Sequence, residues 1–105
     1  MSTNRMEVLK AMLDQNPGDA FARYGLAMEL VKTGQLENAV AEFRALLEHN
    51  PNYAAAYFHG GQVLEKLGDL EQARALYETG IEVTGRTGDQ HTRSELQAAL
   101  DLLPI

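Results

Sequence analysis

Three histidines and fifteen carboxylates, with no cysteine, are the side chains from which this sequence could build a reactive site. Catalysis or metal binding needs several of them to converge. His49, His59 and His91 fall in different predicted helices or turns, without the i, i+4 histidine pair of a helical zinc site. His91 and Glu95 share one helix face, but two ligands do not make a site. Glu29, Glu42, Glu65, Glu71 and Glu78 sit where solvated helix faces are expected. There is no Gly-rich phosphate loop, nucleophile elbow or Ser/His/Asp arrangement, and Gly60-Gly61 falls inside a helical pattern, where close packing explains it. The lack of cysteine also removes disulfides, thiolate nucleophiles and thiolate metal sites. The expectation is a chain with no catalytic residue, no cofactor and no metal.

What remains is chemistry of contact. The segment Ala20–Thr33 is apolar on two sides, which one core contact does not require. Leu26, Ala27 and Leu30 form the first side; Phe21, Tyr24, Met28 and Val31 point about 130° away, at roughly 100° per helical residue. Thirty-four residues on, Ala55, Phe58, Gln62 and Glu65 take the second set of positions, and Lys66 flanks them as Lys32 flanks the first.

That spacing of 34 organises the whole chain. Pro17 is followed by Pro51 and then Gly85; Gly34 by Gly68; Leu36-Glu37 by Leu70-Glu71; Ala39 by Ala73; Phe43 by Tyr77. Laying Ala20–Tyr53 over Ala54–Thr87 gives ten identities in 34 positions, where unrelated segments give about two. Within each unit the apolar spacing is helical: Leu26, Ala27 and Leu30, a breaker at Thr33-Gly34, then Leu36, Ala39, Val40, Phe43, Leu46 and Leu47 up to Asn50-Pro51. The second unit repeats this with Val63, Leu64 and Leu67, a turn at Gly68-Asp69, and Leu70, Ala73, Leu76, Tyr77 and Ile81; Asp69 and Gln72 supply a capping box. Ala27, Ala39, Gly61 and Ala73 are small where helices of neighbouring hairpins must cross.

Composition fixes the class of protein. At 105 residues the chain fits one compact domain, and 45% hydrophobic with 23% charged residues is ordinary for a globular fold. A formal charge of −6, with nine Lys and Arg spread along the whole chain, argues against a nucleic-acid partner. No apolar stretch has the length of a signal peptide within Met1–Lys10 or of a membrane helix anywhere, so no membrane association is expected and a cytoplasmic location is, with Met1 as the native start.

The pattern Leu26-Ala27-x-x-Leu30, Ala39-x-x-x-Phe43, Pro51, and its second copy Tyr57-x-x-Gly60-Gly61-x-x-Leu64, Ala73-x-x-x-Tyr77, resembles the tetratricopeptide repeat. The resemblance extends backwards, since Leu9, Met12, Leu13, Asn16 and Pro17 match Phe43, Leu46, Leu47, Asn50 and Pro51. It departs at Arg23, where the family has an aromatic, at Gly60 for Leu, at Leu46 and Gly80 for Ala, and at Gly85 for the closing Pro, so the second repeat should end less sharply. The resemblance implies an all-α, right-handed superhelical stack of helical hairpins. In the family, the side bearing Phe21, Tyr24, Met28, Val31 and Phe58 lines a concave groove that receives an extended peptide or a partner helix. Lys32, Gln62 and Lys66 would be its polar readers, with a protein or peptide as partner. Members that clamp terminal carboxylates place Lys and Asn where this chain has Tyr24 and Met28, so that mode is not expected.

The expected domain spans 1–105: a half-repeat helix at 4–15, opened by Asn4 and Glu7 and carrying its apolar pattern through Leu13, repeats at 20–53 and 54–87, and a closing helix at 89–103. That last helix has the apolar stripe Leu96, Ala99, Leu100, Leu103, with Thr92 and Glu95 as an alternative start signal. It does not align with the first helix of a third repeat and reads as a cap. Leu102, Leu103 and Ile105 make its end more apolar than a solvated cap needs, which marks a homodimer contact as the alternative use. A terminal helix folded over the second face would instead leave little to bind.

Overall fold

The structure is a computed structural model that describes residues 4–105; Met1–Thr3 of the expected domain lie outside the described residues. Six helices follow one another: α1 Arg5–Gln15, α2 Ala20–Lys32, α3 Leu36–His49, α4 Ala54–Lys66, α5 Leu70–Thr87 and α6 Gln90–Asp101. Each packs on its neighbour in sequence, and α4 also packs on α6. The result is the all-α, right-handed stack of hairpins, with extents of 45 × 29 × 19 Å. No described helix is long and apolar enough to cross a membrane.

Local chemistry explains the hairpins. Asp19, Asp69 and Asp89 cap α2, α5 and α6, each carboxylate accepting from the backbone N–H three residues on, at 3.0–3.2 Å. The Asp69–Gln72 pair is reciprocal, but Gln72 Nε2 donates to the Asp69 carboxylate (2.5 Å) rather than reaching the backbone. Asn4 accepts from Met6 N at 2.8 Å and α1 runs on past Leu13 to Gln15. Asp89, not Thr92, opens α6. Between helices of a hairpin the chain reverses at Gly34 and Gly68, with φ of 79° and 81°, a conformation that favours glycine. The N–H groups of Gln35 and Asp69 return to the carbonyls of Leu30 and Leu64 at 2.8 and 2.9 Å.

The 34-residue period reappears as matched contacts. Phe43 and Tyr77 are both fully buried at the centres of their hairpins. Tyr57 donates its hydroxyl to the Pro51 carbonyl at 2.6 Å, and Arg23, which replaces the family's aromatic, donates its guanidinium to the Pro17 carbonyl at 3.0 Å. Arg23 also pairs with Glu42 at 2.6 Å, tying α2 to α3. The departure therefore keeps the contact and changes the group that makes it.

The second unit packs closer than the first. A Cβ at Gly61 would lie 2.7 Å from Cδ1 and Cζ of Tyr77, and one at Gly60 would lie 2.9 Å from Leu76 Cδ2. At Gly80 a Cβ would strike Tyr57 (2.6 Å) and Leu96 (2.9 Å), so this glycine is where α4, α5 and α6 meet. Proline at 51 ends α3 after 14 residues, whereas Gly85 lets α5 run for 18, to a left-handed Gly88. The longer α5 starts α6 two residues out of the 34-residue register, and the shift puts Leu96 fully buried against Gly80 and Tyr57.

Candidate protein-binding face

Helices α2 and α4 are the first helices of successive hairpins, and α6 packs beside α4, so the three together form the candidate face. Its floor is aromatic. The Tyr24 ring of α2 lies 5.3 Å from Tyr53, 6.0 Å from His59 and 6.4 Å from Phe43, and His59 in turn stands edge-on to Phe58 at 5.3 Å. Beyond Phe58 the face opens into a cleft of about 260 Å³ lined by Phe58, Gln62, Glu95, Ala98, Ala99 and Leu102. The small Ala98 and Ala99 leave the space; Phe58 and Leu102 flank it.

The residues singled out in the sequence divide into three groups. Tyr24, His59 and Phe58 form the row just described. Met28 and Val31, like Tyr24, are half-buried and pack against the core shared by α1 to α4. Phe21 is 68% exposed at its α2 end, and Lys32, Gln62 and Lys66 are exposed. Among the described residues, neither Lys32 nor Lys66 forms an ion pair.

The closing helix stands beside this face as a wall, leaving Phe21, Gln62 and Leu102 open to solvent. Its outward residues His91, Arg93, Ser94, Gln97 and Asp101 are polar, as the end of a stack requires. Of the three apolar residues at its end, Leu103 is buried in the core of α4 to α6 and has no surface to offer a second copy. Leu102 (83% exposed) and Ile105 do.

Sequence reasoning did not assign Tyr53, His59, Glu95, Ala98 or Ala99 to this face. His59 carried a signal, since it adjoins Phe58 in the sequence, whereas Tyr53 meets Tyr24 only in the fold. The α6 residues carried none in a 34-residue register, because the longer α5 displaces them.

Electrostatically the floor is neutral at pH 7. Burial holds the His59 imidazole below its ordinary 6.5, with Glu95 opposing weakly. Burial, and then the neighbouring Tyr53, push the Tyr24 phenol up. The Tyr77 phenol is pushed up first by burial and then by its 2.5 Å hydrogen bond to Glu65, which ties α5 to α4 behind the face. Among the described residues no three His, Asp or Glu side chains gather as a metal site would need. What the arrangement can do is bury apolar side chains against aromatic rings, with amides and isolated charges at the rim. A second cleft, of about 300 Å³, lies between α3 and α5, lined by Arg44, Leu47, Glu48, Tyr57 and Leu76, near a hydrogen bond from Arg44 to Gln72.

Comparison with known proteins places this geometry. A tetratricopeptide repeat family model matches residues 24–83. A tetratricopeptide repeat domain protein of Salinibacter ruber is 38% identical over 85% of this chain and 90% of its own, with a TM-score of 0.79. A protein of Bordetella parapertussis is 31% identical over 97% and 89%, with a TM-score of 0.83. PcrH, solved in complex with the chaperone-binding region of PopD, is 18% identical over 93% and 74% and shares the fold at a TM-score of 0.87. No curated protein matches the chain. With a family match across more than half of its residues and two relatives above 30% identity, the chain is a member of the tetratricopeptide repeat family.

Proposed function

We propose that this chain is a protein-interaction module that binds a segment of a partner protein on the face of α2, α4 and α6. The observation that carries the reading is the row Tyr24–His59–Phe58, which runs into an open cleft ending at the exposed Leu102. Aromatic rings left at a surface, backed by a rigid core and edged by amides and lone charges, are the composition of a binding site. Tyr24, Phe58 and Phe21 act as apolar anchors, Met28 and Val31 shape the floor, and Lys32, Gln62 and Lys66 read polar groups. That PcrH holds a region of PopD on the same fold is in keeping with this use. The module is the single domain 1–105, with repeats at 20–53 and 54–87, and acts by recognition, in the cytoplasm, without catalysis.

The test is affinity capture from the source organism with wild type and a Tyr24→Ala/Phe58→Ala variant, each checked for helicity and monomer mass. Wild type should retain proteins that the variant loses; identical recoveries would sink the reading. A second reading, self-association, is favoured by the exposure of Leu102 and Ile105. Solution molar mass decides it: a dimer that Leu102→Asp converts to monomer supports it, and a monomeric wild type removes it.

A further inference from the structure

The cleft beyond Phe58 has one wall on α4 and the other on α6, and each wall carries a titratable group. On α4 it is His59, whose ring stands edge-on to Phe58 at 5.3 Å. On α6 it is Glu95, which lines the cleft together with Phe58 and Gln62. The Glu95 carboxylate also lies 3.6 Å from the exposed His91, one turn earlier on α6, which does not line the cleft. Glu95 therefore has an imidazole on each side, one on its own helix and one across the cleft. The other neighbours of His59 carry no free charge. Towards α2 it faces Tyr24 at 6.0 Å, backed by Tyr53 and by Phe43 of α3; burial pushes both phenols up, so they stay neutral. Helix α5 meets α4 at Gly60 and Gly61 through Leu76 and Tyr77, and there the Glu65 carboxylate is taken by the Tyr77 hydroxyl. Burial disfavours a proton on His59, and the charge that works against that burial is Glu95.

Proton uptake at His59 places a cation against the Tyr24 ring and offers Glu95 a second partner. A pair with the exposed His91 is screened by water and gains little. A pair with His59 is partly shielded by the rings of Tyr24 and Phe58, where the same charges attract more strongly. A carboxylate rooted on α6 and held by an imidazole on α4 must span the space between the two helices. We propose that Glu95 is a pH-dependent clasp on the cleft. With His59 neutral, Glu95 stays beside His91 and the cleft is open; with His59 protonated, it crosses to α4 and closes the Phe58 end. The burial of His59 sets the direction: the cleft is open at neutral pH and closes only as the pH falls below 6.5. The clasp regulates the binding face proposed above and rests on that reading for its use, whereas closure itself needs no partner and is measured without one.

The test is an NMR titration of the isotope-labelled chain between about pH 8 and pH 5, across the ordinary histidine range. It follows the His59 ring, the amides of Phe58, Gln62, Ala98 and Ala99, and nuclear Overhauser contacts from the Glu95 side chain. In wild type the cleft amides should shift with the His59 midpoint, and contacts from Glu95 to the His59 and Phe58 rings should appear on the acid side. Glu95→Gln should lower the His59 midpoint and abolish the cleft response. The charge on His59 still forms in that variant, so a response caused by its field alone would survive. His91→Gln removes the competing partner and should leave the cleft response in place. Both positions are exposed, and the amide spectra at neutral pH verify that the variants fold. A His59 midpoint unmoved by Glu95→Gln, a cleft response that survives it, or one that His91→Gln abolishes overturns the clasp. None of these results touches the binding face, which the affinity capture decides separately.

Discussion

Replacing Gly61 with alanine sets two effects of opposite sign against each other. Gly61 lies inside α4, where alanine gains about 1 kcal/mol in helix propensity. The added Cβ, however, would press on the Tyr77 ring at 2.7 Å or closer. That ring is fully buried, and its hydroxyl is fixed to Glu65, so it has little room to retreat. Overpacking of this kind costs typically 1–3 kcal/mol, and the rigidity of the ring puts the cost at about 3. The net is a destabilisation of about 2 kcal/mol, which lowers a urea midpoint by roughly 1 M at an m-value of about 1.5 kcal/mol/M. Gly25→Ala is the control. Its Cβ meets the two methyls of Leu9, at 3.1 and 3.3 Å, which can yield, and Arg5 Nη2 at an ordinary contact distance of 3.6 Å, so the propensity gain should survive and the midpoint hold or rise. In a Tyr77→Leu background, Gly61→Ala should cost less than in wild type. A Gly61→Ala midpoint equal to or above wild type, or an equal fall for Gly25→Ala, would refute the claim that α4 and α5 approach through this glycine.

Other substitutions and pH probe neighbouring parts of the same framework. Leu96→Ala empties a fully buried position under α6 and should cost about 2–5 kcal/mol by chemical denaturation. Because Leu96 seats the helix that walls the cleft, peptide affinity should fall with it. The His59 imidazole, held down by burial, should titrate in NMR below its ordinary 6.5. The lowered folded value means that the stability it contributes is complete above pH 6.5 and is lost as the pH falls through the folded value. The Tyr77 phenol, pushed up by burial and Glu65, has the opposite sense among these groups: its contribution is complete below pH 10 and declines as the pH rises further. Near-ultraviolet absorbance should therefore show incomplete tyrosine ionisation at alkaline pH until the chain unfolds.

The hairpins were legible because the residues that make them repeat: the paired glycines at the turns, the alanines at the crossings, and Phe43 and Tyr77 at the centres. The family resemblance followed from the same positions. Two features were harder. Arg23 looked like a lost aromatic, yet it reaches the Pro17 carbonyl as Tyr57 reaches Pro51, because a guanidinium and a phenol can each donate from that distance. The closing helix looked like an unrelated cap because alignment at a fixed spacing cannot register the extra turn that Gly85 permits in α5. Once that turn is counted, α6 lies on α4 and α5 and supplies half of the cleft. The face itself was half visible. Periodicity found Tyr24 and Phe58, but whether Met28 and Val31 were free or buried depended on how closely α1 and α3 pack beneath α2, which a single helix's pattern does not encode.

The binding face is tested most directly by mapping a captured partner segment onto the isotope-labelled chain by amide chemical shifts. Perturbations concentrated at Tyr24, Phe58, His59, Gln62, Ala98, Ala99 and Leu102 are the predicted result. Perturbations concentrated instead at Arg44, Leu47, Glu48 and Leu76, between α3 and α5, would contradict it.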